Sequence, residues 1–299
     1  MKLRLLLCFA IFLVTGHEAH SGMAEKIGTS VVSGNGSLSN INLIIGIRGG
    51  INFAQPIVMD HFEVIQGNDP EVAYNKDYSS LFVNLGYHYA FVFMVYLKKT
   101  LSLSFEPAMA SYRYKYTSSA DWTNAGDPTD HITFTADHSN TINYLEFPMT
   151  IRQEISSKDL KPFVSLGLTY GYRLTATKKM EYSINQNQGT VSIPIESSTV
   201  ISNNTDSYIH SRFAVAAGFG FLYSVGPANL MLSADFSFGL NNIVDESQRY
   251  SNPSITSGMY DVQDDIRLSA VNITLGILFN TGKNQAGKAV ECITFKRKR

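Results

Sequence analysis

The sequence predicts an all-β protein, an eight-stranded antiparallel up-and-down transmembrane β-barrel with four long extracellular loops and short periplasmic turns. Three observations carry this expectation. Eight segments alternate apolar with polar or small residues, the period of a pleated strand with one oily face. The gaps between them are alternately short and long, as where tight turns face the periplasm and long loops face outward. Beyond the first 22 residues no apolar run approaches the roughly 20 that a membrane-spanning helix needs.

The chain begins Met1-Lys2-Leu3-Arg4, continues as an apolar run from Leu5 to Val14, and turns small and polar through Ser21-Gly22. This pattern predicts a secretory signal over 1–22, too short for a stop-transfer helix. Residues 23–40 are then a periplasmic N-terminal segment, 41–280 an outer-membrane barrel, and 281–299 a basic periplasmic tail. Cys8 falls within the signal, so Cys292 is the single mature thiol and the fold stands without an intramolecular disulfide. With 24 Lys+Arg against 25 Asp+Glu the chain has no electrostatic reason to seek nucleic acid.

Strands are expected at about 42–54, 79–95, 100–116, 141–154, 162–175, 210–224, 229–240 and 267–280. The first is built on Ile47-Arg48-Gly49-Gly50-Ile51-Asn52. Leu81, Val83, Leu85, Tyr87, Phe91 and Phe93 make the oily face of the second, and Glu106-Pro107 marks the third. The fourth contains Glu146-Phe147-Pro148, the fifth Val164, Leu166, Leu168, Tyr170 and Tyr172, and the sixth Phe213, Val215, Phe219, Phe221 and Tyr223. Asp235 sits in the seventh, and in the eighth Val271, Ile273, Leu275, Ile277 and Phe279 interleave with Asn272, Thr274 and Gly276. Lys98-Lys99, the Ser156–Asp159 run and Gly226-Pro227 mark tight turns, while the other four gaps run to roughly 24 to 34 polar residues.

The second face collects Arg48, His88, Glu106, Glu146, Arg152, Arg173, Arg212 and Asp235 with many glycines, including Gly46, Gly50, Gly218 and Gly276. A periplasmic sandwich or lipocalin-like barrel would turn the oily face inward. The tyrosines at its margins instead match interfacial girdles, so the oily face meets lipid and the charged face lines the lumen. Eight strands leave an interior that side chains fill, and glycines there give room to large Arg and Glu side chains. Buried charges need partners, so these eight residues are expected to form a lumen ion-pair network.

Tyr144-Leu145-Glu146-Phe147-Pro148, Lys161-Pro162-Phe163-Val164-Ser165-Leu166-Gly167 and Phe213-Ala214-Val215-Ala216-Ala217-Gly218-Phe219-Gly220 resemble the PorT-like outer-membrane β-barrel family. Gly46–Asn52, Ser104–Pro107 and Ile273–Phe279 also fit its pattern. The resemblance implies an outer-membrane barrel, and its name-giving member is associated with secretion and surface assembly. Barrels of this kind commonly end on an aromatic of the last strand, whereas here a tail follows Phe279 and closes in Phe295-Lys296-Arg297-Lys298-Arg299.

Candidate chemistry is sparse. Glu106 and Glu146 on adjacent strands could serve as a general acid/base pair, but a lumen that admits no substrate makes them structural. Each following proline lacks a ladder donor and is expected to mark a bulge. Asp127, Asp130-His131 and Asp137-His138 in the second loop, and Asp60-His61 in the first, lack metal-ligand spacing and a nucleophile, and read as solvated loop residues. The tail cations could touch anionic lipid, peptidoglycan or a periplasmic partner, against the plainer reading of a soluble tail. No catalytic residue, metal or cofactor is expected. The expected role is that of a non-enzymatic surface, assembly or interaction protein with a plugged lumen, periplasmic termini, and outer-membrane lipid and envelope or secretion proteins as partners. A narrow solute channel and an outer-membrane enzyme acting from the loops are the rival readings.

Overall fold

A computed structural model describes residues 43–64, 73–80, 84–124, 126–156 and 159–281. The expected signal, N-terminal segment and all but the first residue of the basic tail, with Leu81 and Val83, lie outside the described residues. The strands are β1 (Leu43–Asp60), β2 (Ala73–Tyr78), β3 (Leu85–Tyr96), β4 (Leu101–Phe105), β5 (Ala108–Asn124), β6 (Asp127–Glu154), β7 (Leu160–Gln188), β8 (Val191–Asn203), β9 (Ser211–Val225), β10 (Ala228–Gly239) and β11 (Asp265–Asn280). A single-turn helix, α1 (Pro253–Thr256), lies between β10 and β11.

All eleven strands join one antiparallel sheet whose pairings return to their start. β1 pairs with β3 on one side, from Leu43↔Val95 to Phe53↔Leu85, and with β11 on the other, from Ile44↔Asn280 to Asp60↔Asp265. Between these, β3 meets β4 and β5, both meet β6, and the ladder continues through β7, β9 and β10 to β11. The eleven differ from the expected eight in three places. β4 and β5 divide one expected segment at Glu106-Pro107, while β2 and β8 are strands within expected loops, flanking β5 and β7.

Pro107 and Pro148 interrupt hydrogen bonding without the expected bulge. The register is the same on either side of Pro107, Phe93↔Phe105 giving way to Ala90↔Ala108 and Phe105↔Met149 to Ala108↔Glu146. The carbonyls of both prolines still accept, Pro107 O from Phe91 N–H and Pro148 O from Glu106 N–H, each at 3.0 Å. Only the missing N–H is lost, at a net cost of about 1 kcal/mol each, which the surrounding ladder tolerates. Register shifts fall elsewhere, among them one at Leu174, where Asn143↔Thr175 steps to Tyr144↔Arg173.

Side chains alternate as the period of two demands. Phe91, Phe93, Leu168, Phe219 and Ile277 are exposed, Leu166 and Leu275 to 61% and 68%, while Val92, Met94, Phe163, Leu222 and Leu278 are buried on the other face. The small interior sets the glycines: a Cβ on Gly218 would lie 2.1 Å from Asp235 Oδ1. Gly226, at φ +59, makes the tight β9–β10 turn that a residue with a Cβ would strain.

Two expected loops are strands. β5 and β6 continue in register from Ser111↔Asn143 to Thr123↔His131, and β7 and β8 pair from Thr177↔Asn203 to Gln188↔Val191 with a register shift between Ile184 and Asn185, turning at Gly189 (φ +59). Arg113, Lys115, Asp137 and Lys179 are exposed on their outward face, and β8 adds the exposed apolar Val191, Ile193, Ile195 and Ile201. A strand whose outer face meets water loses the oily stripe, and a loop reading follows from polarity alone. The outward face thus changes from apolar to polar above Met109, Leu145 and Tyr172, a boundary that the rows beginning at Ser111 mark around this side of the sheet.

An arginine in place of Leu166 is expected to destabilise the folded chain in lipid vesicles by about 2 to 4 kcal/mol, against about 0 to 1 for Thr177→Arg above the boundary. Denaturant unfolding of both variants measures the difference, and equal losses would contradict the assignment of the apolar belt.

Candidate functional site

Six of the eight residues expected in the lumen meet in two ion-pair groups. Arg48, on β1, places Nε 2.8 Å from Glu106 Oε2 and Nη1 3.0 Å from Asp235 Oδ2, reaching from one strand to both neighbours' sides of the interior. Arg152 Nη2 is 3.4 Å from Glu106 Oε1, and its guanidinium lies over the Phe163 ring at 4.3 Å. Ser104 donates to Glu106 at 2.8 Å and Ser233 to Asp235 at 3.1 Å. The second group joins Arg212 Nη1 to Glu146 Oε1 at 2.7 Å, with Tyr112 donating to the same carboxylate at 2.9 Å. The other Arg212 amine binds Ser237 at 2.9 Å and the Leu268 carbonyl at 3.0 Å. Each buried guanidinium in these groups has a carboxylate, as buried charge requires.

Two expected members stand apart. Arg173 makes no ion pair among the described residues; it donates to the carbonyls of Thr205 and Tyr208, and its Nη2 lies 3.3 Å from His210 Nε2. It keeps the expected inner-face parity, buried opposite Tyr144, and the Leu174 bulge shifts only the rows beyond it. His88 is buried against the same interior, but its Nδ1 has no hydrogen-bond partner among the described residues. The cavity that it shares with Arg48, Glu106, Glu146, Arg152 and Asp235 amounts to about 30 Å³, room for one or two waters.

A second polar cluster, above the apolar belt, escaped the sequence reading. Asp261, fully buried, is gripped by Lys178 of β7 and accepts from Tyr116 of β5 at 2.6 Å. Lys76 of β2 lies 3.2 Å from Asp261 and 3.1 Å from Asp264, and donates to the Phe62 and Val262 carbonyls at 2.9 and 2.7 Å. Tyr78 donates to Asp264 at 2.7 Å, and Tyr114 and Tyr208 share a 2.6 Å hydroxyl contact below. Two lysines face two aspartates, and the segment before β11 is thereby clamped across the interior end of β2, β5 and β7. Burial alone would raise the Asp261 carboxyl, yet Lys178 and Lys76 hold it far below the usual range. Burial pushes Lys178 down, and Asp261 pushes it partly back. The signal available was Tyr112, Tyr114 and Tyr116 alternating past the apolar part of the third strand.

The reading of the loop histidines as uniformly solvated is corrected here. His138 is buried on β6, stacks on Tyr116 at 4.5 Å and lies 2.9 Å from Ser118 Oγ. Asp137 is exposed and accepts from Thr117 at 2.7 Å, Asp127 accepts from the Thr129 amide at 3.0 Å, and Asp130 accepts from Gln186 at 3.0 Å. His131 is partly buried on the same strand, and the exposed His61 lies 3.4 Å from Asp264. No two of these histidines share a ligand-like geometry with carboxylates among the described residues.

A closed antiparallel ladder, an apolar belt outside and paired charges inside define a membrane-spanning β-barrel. The sequence matches the outer membrane protein beta-barrel domain family over residues 34–245, so the chain belongs to that family and is an outer-membrane protein. Similar solved structures include Neisserial surface protein A, 8% identical over 79% of this chain and 96% of that one, with a TM-score of 0.33. Ail of Yersinia pestis is 10% identical over 79% and 99% of the two chains (TM-score 0.30), and AlkL 11% identical over 90% and 97% (TM-score 0.36). No curated protein matches the sequence.

Glu106→Gln strands Arg152 and leaves Arg48 with Asp235 alone, and is expected to cost about 3 to 5 kcal/mol, part of it recovered when Arg152 is also replaced by Met. Denaturant midpoints of the single and double variants test this. Burial, with Lys178 beside it, pushes His138 down to about 3 from its ordinary 6.5. Between those values the unfolded chain binds a proton that the folded one refuses, so stability is full above pH 6.5 and falls as the pH drops toward 3. Limited proteolysis of the outer strands should show this acid sensitivity, and His138→Phe should flatten it; an unchanged pH profile in the variant would refute it.

Proposed function

We propose that eight staves, β1, β3, β4 with β5, β6, β7, β9, β10 and β11, cross the outer membrane with both termini periplasmic, and that the chain is a non-enzymatic surface, assembly or interaction protein. The PorT-like resemblance of Leu145-Glu146-Phe147-Pro148 supports a secretion-associated or assembly role within the wider family. The observation that carries the reading is an interior filled by charge-balanced side chains and closed above by the Asp261 clamp. Such an interior offers a solute or substrate no path, because each displaced group would strand a buried charge. Recognition then falls to the outer strands of β2 and β5 to β8, rigid enough to present a fixed surface to envelope or secretion proteins.

In planar bilayers the purified chain is expected to give no steady conductance; open-channel steps would favour the narrow-channel reading. An epitope inserted at the Gly189-Thr190 turn should be reachable by antibody on intact cells. Detection only after the outer membrane is opened would reverse the proposed orientation. Crosslinking in the native membrane identifies the partner.

A further inference from the structure

We propose that the outward wall of β5, β6 and β7 binds phosphate groups of outer-leaflet lipid headgroups through Arg113, Lys115 and Lys179. The site rests on the outward orientation proposed above. The register aligns Lys115, Ser139 and Lys179 in one row across the three strands, and Arg113, Thr141 and Thr177 in the row below. Strand spacing and rise put the corners of this patch roughly 10 Å apart across and roughly 7 Å apart along the strands. Three cations thus surround a floor of hydroxyl donors, the groups that a phosphate oxygen accepts from.

The vertical order of charge selects lipid as the occupant. Below the patch lies the apolar belt, with Tyr87, Tyr89 and Tyr172 at its margin, each exposed. In the row above, Asp77, Thr117, Asp137 and Glu181 align, so that row carries three carboxylates. A water-facing wall has no reason to sort its charges by height, since interspersed signs pair with one another. Here a cationic tier lies between oil and an acidic tier, at the level of headgroup phosphates. Arg113 stands four residues above Met109, about 10 Å in height on a strand of ordinary barrel tilt, and its flexible stem reaches back toward the belt. Among the described residues neither Arg113 nor Lys115 takes part in an ion pair, while the exposed Lys179 is shared with Glu181.

The test titrates the full chain, folded in a phosphate-free maltoside detergent, with diphosphoryl lipid A and with the same lipid stripped of both phosphates, counting bound lipid by native mass spectrometry. The diphosphoryl lipid is expected to bind about tenfold more tightly or better. The triple variant Arg113→Gln, Lys115→Gln, Lys179→Gln should lose that preference while keeping heat-modifiable gel migration as evidence of a folded barrel. Equal affinity of the native chain for both lipids, or a preference that survives in the folded triple variant, would overturn the proposal. Displacement of the lipid by an equal concentration of inorganic phosphate would also overturn it, by making this a free-phosphate site. Because the lipid assay is independent of orientation, an accessible Gly189 tag with no lipid preference counts against this site alone.

Discussion

Backbone N–H and C=O groups that face hydrocarbon have to be paired within the protein, and the return of the ladder from β11 to β1 is what meets that demand here. Most of the remaining architecture follows from it. A sheet closed on so few strands encloses little volume, so the inner wall mixes glycine with long side chains, as where Gly218 makes way for Asp235. The outer wall has only lipid to satisfy and becomes uniformly apolar.

Closure also fixes the electrostatics. Charges inside a narrow barrel cannot reach bulk water, so Arg48, Arg152 and Arg212 are tied to Glu106, Asp235 and Glu146 from neighbouring or facing strands. The same rule operates above the bilayer, where Lys76 and Lys178 against Asp261 and Asp264 draw the chain between β10 and β11 over the barrel end. Two clusters thus tie the interior together, one in the lumen and one above it.

The polar strands carry a different logic. Freed from lipid, the outer faces of β5 to β8 can be charged, and their tiers follow the membrane: cations next to the belt, carboxylates one row higher. Below the boundary specificity has little to work with, since an apolar surface against acyl chains distinguishes few partners. Above it, rigid strands present ordered side chains to the water beyond the apolar belt.

The period of two in Leu166, Leu168 and Tyr170, or in Ile273, Leu275 and Ile277, determined from sequence which face each spanning strand turns to lipid, because hydrocarbon tolerates only one kind of side chain. The same parity put Arg48, Glu106, Glu146, Arg152, Arg212 and Asp235 on the inner face, and so nominated the lumen cluster. It could not say which arginine meets which carboxylate, because those contacts join strands distant in sequence and depend on register. Arg173 kept the expected parity opposite Tyr144, but no carboxylate among the described residues arrives beside it, and the extra residue at Leu174 shifts the rows beyond it in a way that no local pattern announces. β2 was illegible because a short strand wetted on its outer face has the composition of a loop, while in β8 Val191, Ile193 and Ile195 alternate at a strand's period within an expected loop. Only tertiary structure brought Asp261, from an irregular segment, to Lys178 and Tyr116, since pairing a buried charge is a property of the place where the chain arrives and not of the sequence around it.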